Sequence, residues 1–179
     1  MKKYELTSET KVVFGKTLYR IRALVAFGDV SIGDLGGWVE KEHNLDQSGN
    51  AWVYGDAHVY GDAHVYGNAH VSGNALVYGN ARVYGDAHVY GDACVYGNAE
   101  IVNDAHYLVI GAIGSRNAFT TFFRTKEKNI LVSCGCFCGD IEEFVKAVKT
   151  THGGTKHEKT YLAAVELAKM QLEDVKIKE

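Results

Sequence analysis

The 179-residue sequence has no proline, two methionines and no apolar run of the ~18 residues that a bilayer-spanning helix needs. Its make-up excludes polyproline and collagen. An excess of one charge is also missing. Against 22 acidic residues stand 19 lysines and arginines, a formal net charge of -3. There is no basic surplus for duplex nucleic acid, and neither that partner nor a membrane is expected. Apolar residues make up 46% and charged residues 23%, ordinary values that exclude disorder for most of the chain. Lys2 and Lys3 are followed by Tyr4-Glu5 rather than an apolar core, so no signal peptide is expected. Cysteine is scarce as well. Cys134, Cys136 and Cys138 stand too close together to staple distant segments, and Cys94 stands alone. The expected setting is reducing and cytoplasmic.

What is plentiful is glycine, with 20 residues, and tyrosine, with 11. One block accounts for much of both. From Gly49 to about Leu108 the chain repeats Gly-Asp/Asn-Ala-x-Val-Tyr. Alanine recurs every sixth residue from Ala51 to Ala105, and valine or isoleucine from Val53 to Ile101. Tyrosine follows the aliphatic residue except at Ser72 and Val102. So strict a period marks a solenoid. Six does not match the helical 3.6, and a glycine in every sixth place of a helix would be costly. In an extended reading Ala and Val share the inner face, x and Tyr point out, and Gly-Asp/Asn turns the corner.

This pattern resembles the hexapeptide-repeat family of left-handed parallel β-helices, in which three hexads make one coil. Tyrosine after the aliphatic residue is a departure from that family. The fold class implied is mainly β, with an N-terminal β cap over residues 1–48, the β-helix over 49–106 and a small α+β domain over 107–179. Residues eighteen apart should stack. One face then carries Trp52, His70, His88 and His106 beside Tyr54, Ser72, Tyr90 and Leu108. A second carries His58, Leu76 and Cys94 beside Tyr60, Tyr78 and Tyr96. The third carries His64, Arg82 and Glu100 beside Tyr66, Tyr84 and Val102. Faces so aromatic suggest an interface. The resemblance implies a homotrimer packed through them, with Trp52, Tyr60, Tyr78, Tyr90 and Tyr96 as contacts.

The flanks have their own signals. Tyr4–Thr7, Lys11–Phe14 and Leu18–Phe27 read as strands, and 35–40 as an irregular first coil. After the repeat, Ala118–Arg124 and Asn129–Ser133 read as a hairpin. Asp140-Ile141-Glu142-Glu143 and Thr155-Lys156-His157-Glu158 read as capping boxes opening two helices, the first ended by Gly153. Basic residues outnumber acidic ones only in 107–179, by 11 to 9. Tyr19–Leu24, Gly33–Trp38, Ile113–Asn117 and Ser133–Phe137 together resemble a type of protein encoded by phages and prophages.

The resemblance to hexapeptide-repeat enzymes implies acyl transfer from acyl-CoA, with His70, His88 or His106 as general base. Those histidines occupy the variable slot of a regular repeat that lacks an inserted acceptor loop, which favours a non-enzymatic role. A flat histidine row converges poorly on a metal, and the spacing of Cys134, Cys136 and Cys138 is unlike paired-cysteine zinc sites, so neither metal nor cofactor is expected. The glycine-containing loop Gly111–Asn117 suits a phosphate or carboxylate. Ser115, Arg116, Asn117, Thr120, Arg124, His152 and Lys156 are the candidate ligand residues. The leading expectation is a homotrimeric protein that sequesters a small anionic or nucleotide-type host signal. A structural spacer is the blander alternative.

Overall fold

The computed structural model describes residues 1–172. The chain divides into two compact units, Met1–Asp104 and a second beginning at Ala105.

The first unit opens with a hairpin of β1 (Tyr4–Val13) and β2 (Lys16–Ala23), turned at Phe14-Gly15. Tyr4–Thr7 and Lys11–Phe14, expected as two strands, are one strand with a register shift between Leu6 and Thr10. β2 stops at Ala23 because the chain then folds back, with Phe27 bridging to Val30. β3 (Leu35–Val39) pairs antiparallel with β2 and parallel with the solenoid, so the cap continues one of the solenoid's sheets.

Nine two-residue strands follow, one per hexad, from β4 (Trp52–Val53) to β12 (Glu100–Ile101). They form three parallel stacks. β3, β5 (His58–Val59), β8 (Leu76–Val77) and β11 (Cys94–Val95) lie in one. β4, β7 (His70–Val71) and β10 (His88–Val89) make another. β6 (His64–Val65), β9 (Arg82–Val83) and β12 make the third. The repeat's alanines from Ala51 to Ala99 and its aliphatic residues from Val53 to Ile101 are buried, because strand alternation sends both to the inside. Corner glycines have φ between 58 and 73°, the left-handed region. Close stacking adds a second demand: a Cβ on Gly79 would lie 2.8 Å from the Gly97 amide nitrogen of the next coil. Corner side chains form ladders. Asn50 donates to Asn68, Asn68 to Asp86, and Asn74 to Asp92.

The first coil is irregular. Val39 pairs with Val59 and Leu45 with Val65, an offset of twenty residues, whereas Val53 pairs with Val71 at eighteen. The extra length lies between Leu45 and Val53. Two buried polar residues accommodate it. Asn44 donates to the carbonyls of Gly61 and Ala63, and Lys3 Nζ donates to those of Ser48, Gly49 and Ala51.

The second unit is a four-stranded antiparallel sheet with two helices, richer than the expected hairpin and two helices. Its strands are β13 (Tyr107–Ile113), β14 (Ala118–Arg124), β15 (Ile130–Cys134) and β16 (Phe137–Asp140), hydrogen-bonded in that order. α1 (Ile141–His152) and α2 (Lys156–Gln171) follow. Asp140 accepts from the Glu143 amide while Glu143 accepts from the Asp140 amide, the reciprocal cap expected there. α1 ends at Gly153, but Gly154 takes the left-handed conformation. Phe122, Val132, Phe144, Val148, Tyr161 and Val165 are central to the core. Among the described residues no helix is long and apolar enough to cross a membrane.

Candidate functional site

In the solenoid, each x residue projects from a two-residue strand and meets its counterpart one coil away. The rings of His70 and His88 stack 4.9 Å apart. His70 is held below the ordinary histidine range by burial and by His88. The His88 amide donates to the Asp104 carboxylate, and a 3-10 turn spans Asp104–His106. His106 belongs to the second unit, where it is buried with Nδ1 3.5 Å from Arg124 Nη1.

The expected contact residues also separate. Trp52 is 1% exposed, because Tyr4 and Phe27 pack edge-on against it. It is core, not interface. Tyr60 is likewise buried, clustered with Leu18 and Trp38. Tyr78 stacks flat on Tyr60 at 5.1 Å and on Tyr96 at 5.6 Å, and both are half-buried. Tyr90 is 60% exposed. His58 lies beneath Trp38, which carries Lys11 over its ring. Burial, reinforced by Lys11, pulls His58 down to about 4.

The second unit contains a pocket of about 260 Å³ between the β-sheet and the two helices. Its apolar wall is Phe137, Phe144, Ala147 and Val148. Its polar groups are Arg116, Cys134, Cys136, Thr151, His152 and Tyr161. Arg116 arrives from the β13–β14 turn, which Gly114 and Asn117 close with positive φ. Cys134 ends β15 and Cys136 lies in the hairpin loop. His152 ends α1, and Tyr161 faces inward from α2. Local chemistry sets their charge states. Arg116 Nη2 donates to Cys136 Sγ at 3.7 Å, which holds the Cys136 thiol below its usual range and pushes Arg116 higher still. Thr120 Oγ1 donates to Cys134 Sγ at 3.2 Å, and Cys134 donates to the Tyr161 hydroxyl at 3.8 Å. Burial, with the Cys134 contact second, pushes the Tyr161 phenol up to about 12. The His152 ring lies 5.7 Å from that of Tyr161.

Two of the seven expected ligand residues, Arg116 and His152, line this pocket. Ser115 and Asn117 are exposed in the Arg116 turn without lining it, and Lys156 is exposed at the start of α2. Thr120 is fully buried, its hydroxyl engaged with Cys134. Arg124 is buried beside His106 at the other end of β14. The cysteine segment is a hairpin that pairs Cys134 with Phe137 and Ser133 with Cys138. Cys134 and Cys138 therefore project from opposite faces. Cys134, Cys136 and Tyr161 were not expected at a binding site. A glycine between two cysteines was the available signal, since it allows a tight turn. Among the described residues no group of three or more His, Cys, Asp or Glu is arranged to hold a metal ion.

Residues 69–85 and 75–91 match the family described as the YdcK beta solenoid repeat. Both matches lie within the hexads, where the strands stack every eighteen residues. No curated protein matches the chain.

Proposed function

We propose that this chain is a binding protein in which a hexapeptide-type β-solenoid is joined in sequence to a small module that takes an anionic ligand. The observation that carries this reading is the convergence of Arg116 and His152, from a strand turn and a helix end, on one apolar-walled pocket. An apolar pocket with a few convergent polar groups is the usual form of a small-ligand site. Arginine is suited to a phosphate or carboxylate because its planar fork can donate two parallel hydrogen bonds. A volume of about 260 Å³ lies just under the ~300–1,000 Å³ of drug-sized pockets. It suits a small anion, or the phosphate-bearing part of a nucleotide. In this reading the protein is a homotrimer of the phage-encoded type, and it sequesters a host signal in the cytosol.

The test is calorimetry on the full chain with inorganic phosphate, acetate, a panel of nucleotides and acyl-CoA. Binding of an anion, weakened at least tenfold in Arg116→Ala, is the expected result. No binding by any panel member, or an Arg116→Ala variant indistinguishable from wild type, overturns the reading. Turnover of acyl-CoA that disappears in His88→Ala would replace it with acyl transfer.

A further inference from the structure

Cys136 is exposed in the two-residue loop, Gly135-Cys136, that joins β15 to β16. Gly135 has φ +61°, and a Cβ there would come within 2.7 Å of Arg116 Nη2. The loop thus presents no side chain that would push the arginine away, and Nη2 reaches Cys136 Sγ at 3.7 Å. A guanidinium beside an accessible thiol favours the thiolate, which is the nucleophile. The other two cysteines of the segment are placed differently. Cys134 shares the pocket but is buried under the Thr120 and Tyr161 hydroxyls. Cys138 is exposed on the opposite face of the hairpin from Cys134. One pocket therefore holds an accessible, cation-paired thiol, a second thiol that is shielded, and a histidine.

We propose that Cys136 is a thiol–disulfide exchange site whose partner is a low-molecular-weight disulfide bearing a carboxylate. The Cys136 thiolate attacks one sulfur of that disulfide. A Cys136–sulfur bond forms, the incoming S–S bond breaks, and the departing half leaves as a thiolate that takes a proton from water. The incoming disulfide is the oxidant: it is reduced to one free thiol as Cys136 is oxidised. When the charge on Cys136 is consumed in the new bond, Arg116 is released to pair with the carboxylate of the half that stays. The choice of a carboxylate rests on the anion-pocket reading above, and the thiol chemistry does not.

The full-length protein is incubated near neutral pH with oxidised glutathione, and the modified cysteine is mapped by mass spectrometry over time. Cys136 is expected to react first, roughly tenfold faster than the exposed Cys138 of the same hairpin. In Arg116→Ala that advantage should vanish while the circular dichroism spectrum stays the same. Equal rates for Cys136 and Cys138 in the wild-type protein overturn the proposal, and this comparison requires no variant. Cystamine, a disulfide with cationic ends, should react more slowly than oxidised glutathione; equal rates overturn the carboxylate preference. Anion binding together with a slow Cys136 would sink this inference alone. A fast Cys136 without anion binding would sink the anion-pocket reading and the carboxylate preference with it, and would leave the thiol chemistry standing.

Discussion

The imidazole of His70 lies 4.9 Å from that of His88, with the ring planes 5° from parallel. Two protonated rings in that arrangement would repel, and His70 is held below its ordinary range by burial and by this neighbour. His58 and His64 are shifted the same way, again mainly by burial. The folded state therefore holds these protons more weakly than the unfolded chain does. Their contribution to stability is complete above the ordinary histidine value of 6.5 and is lost as pH falls towards the His58 value of about 4. Thermal unfolding followed between about pH 7 and about pH 5 should show a falling midpoint. His58→Leu, which introduces the residue that fills the same slot at Leu76, should flatten that fall by a few degrees. An unchanged pH dependence in the variant would exclude His58 as a source.

Two corner glycines make a matched pair. Gly55 and Gly79 both have positive φ, yet a Cβ at Gly55 meets nothing within 4 Å. Gly55→Ala should cost about 1 kcal/mol, the strain of a left-handed alanine. Gly79→Ala must also displace the backbone of Gly97 and should cost about 3 kcal/mol. Urea unfolding measures both, and equal losses would mean that the coil stacking tolerates a methyl group.

Trp52 and Tyr90 were both expected at an interface and should now behave in opposite ways. Trp52→Ala removes a buried indole from under Tyr4 and Phe27 and should cost about 3–5 kcal/mol. Tyr90→Ala should change unfolding by less than about 0.5 kcal/mol. In light scattering the same Tyr90 variant should weaken the trimer. A wild-type protein that runs as a clean monomer would refute the assembly itself.

Asp140 carries the reciprocal cap of α1. Asp140→Ala should lower stability by about 1 kcal/mol, while Asp140→Asn, which keeps an acceptor, should lose less. Chemical denaturation of the two variants side by side decides it.

The solenoid was legible because one residue type in each slot answers one physical demand: glycine at the corner, alanine and valine inside. The first coil was less so. Its extra residues are accommodated by Lys3 and Asn44, and nothing local distinguishes a buried lysine from a solvated one. Strands β13 and β16 were missed for related reasons. The glycines of 111–114 read as loop, and the turn at Gly135-Cys136 that leads into β16 carries no more than one glycine as a signal. At the pocket, Arg116 was legible from its loop and His152 from its helix end. Thr120 and Arg124 were placed wrongly because alternation along a strand gives a side chain's face but not which face is covered.

The period sets which changes of length the solenoid tolerates. Beyond Val53, inserting or deleting eighteen residues returns every outward row to its own face and changes the solenoid's length by ~4.8 Å. A change of six between Tyr78 and His88 keeps alanine and valine inside but moves each later row round by one face, breaking the His70–His88 and Tyr78–Tyr96 stacks. Recombination between near-identical hexads is therefore neutral for the interior and disruptive for the exterior, unless it happens in threes.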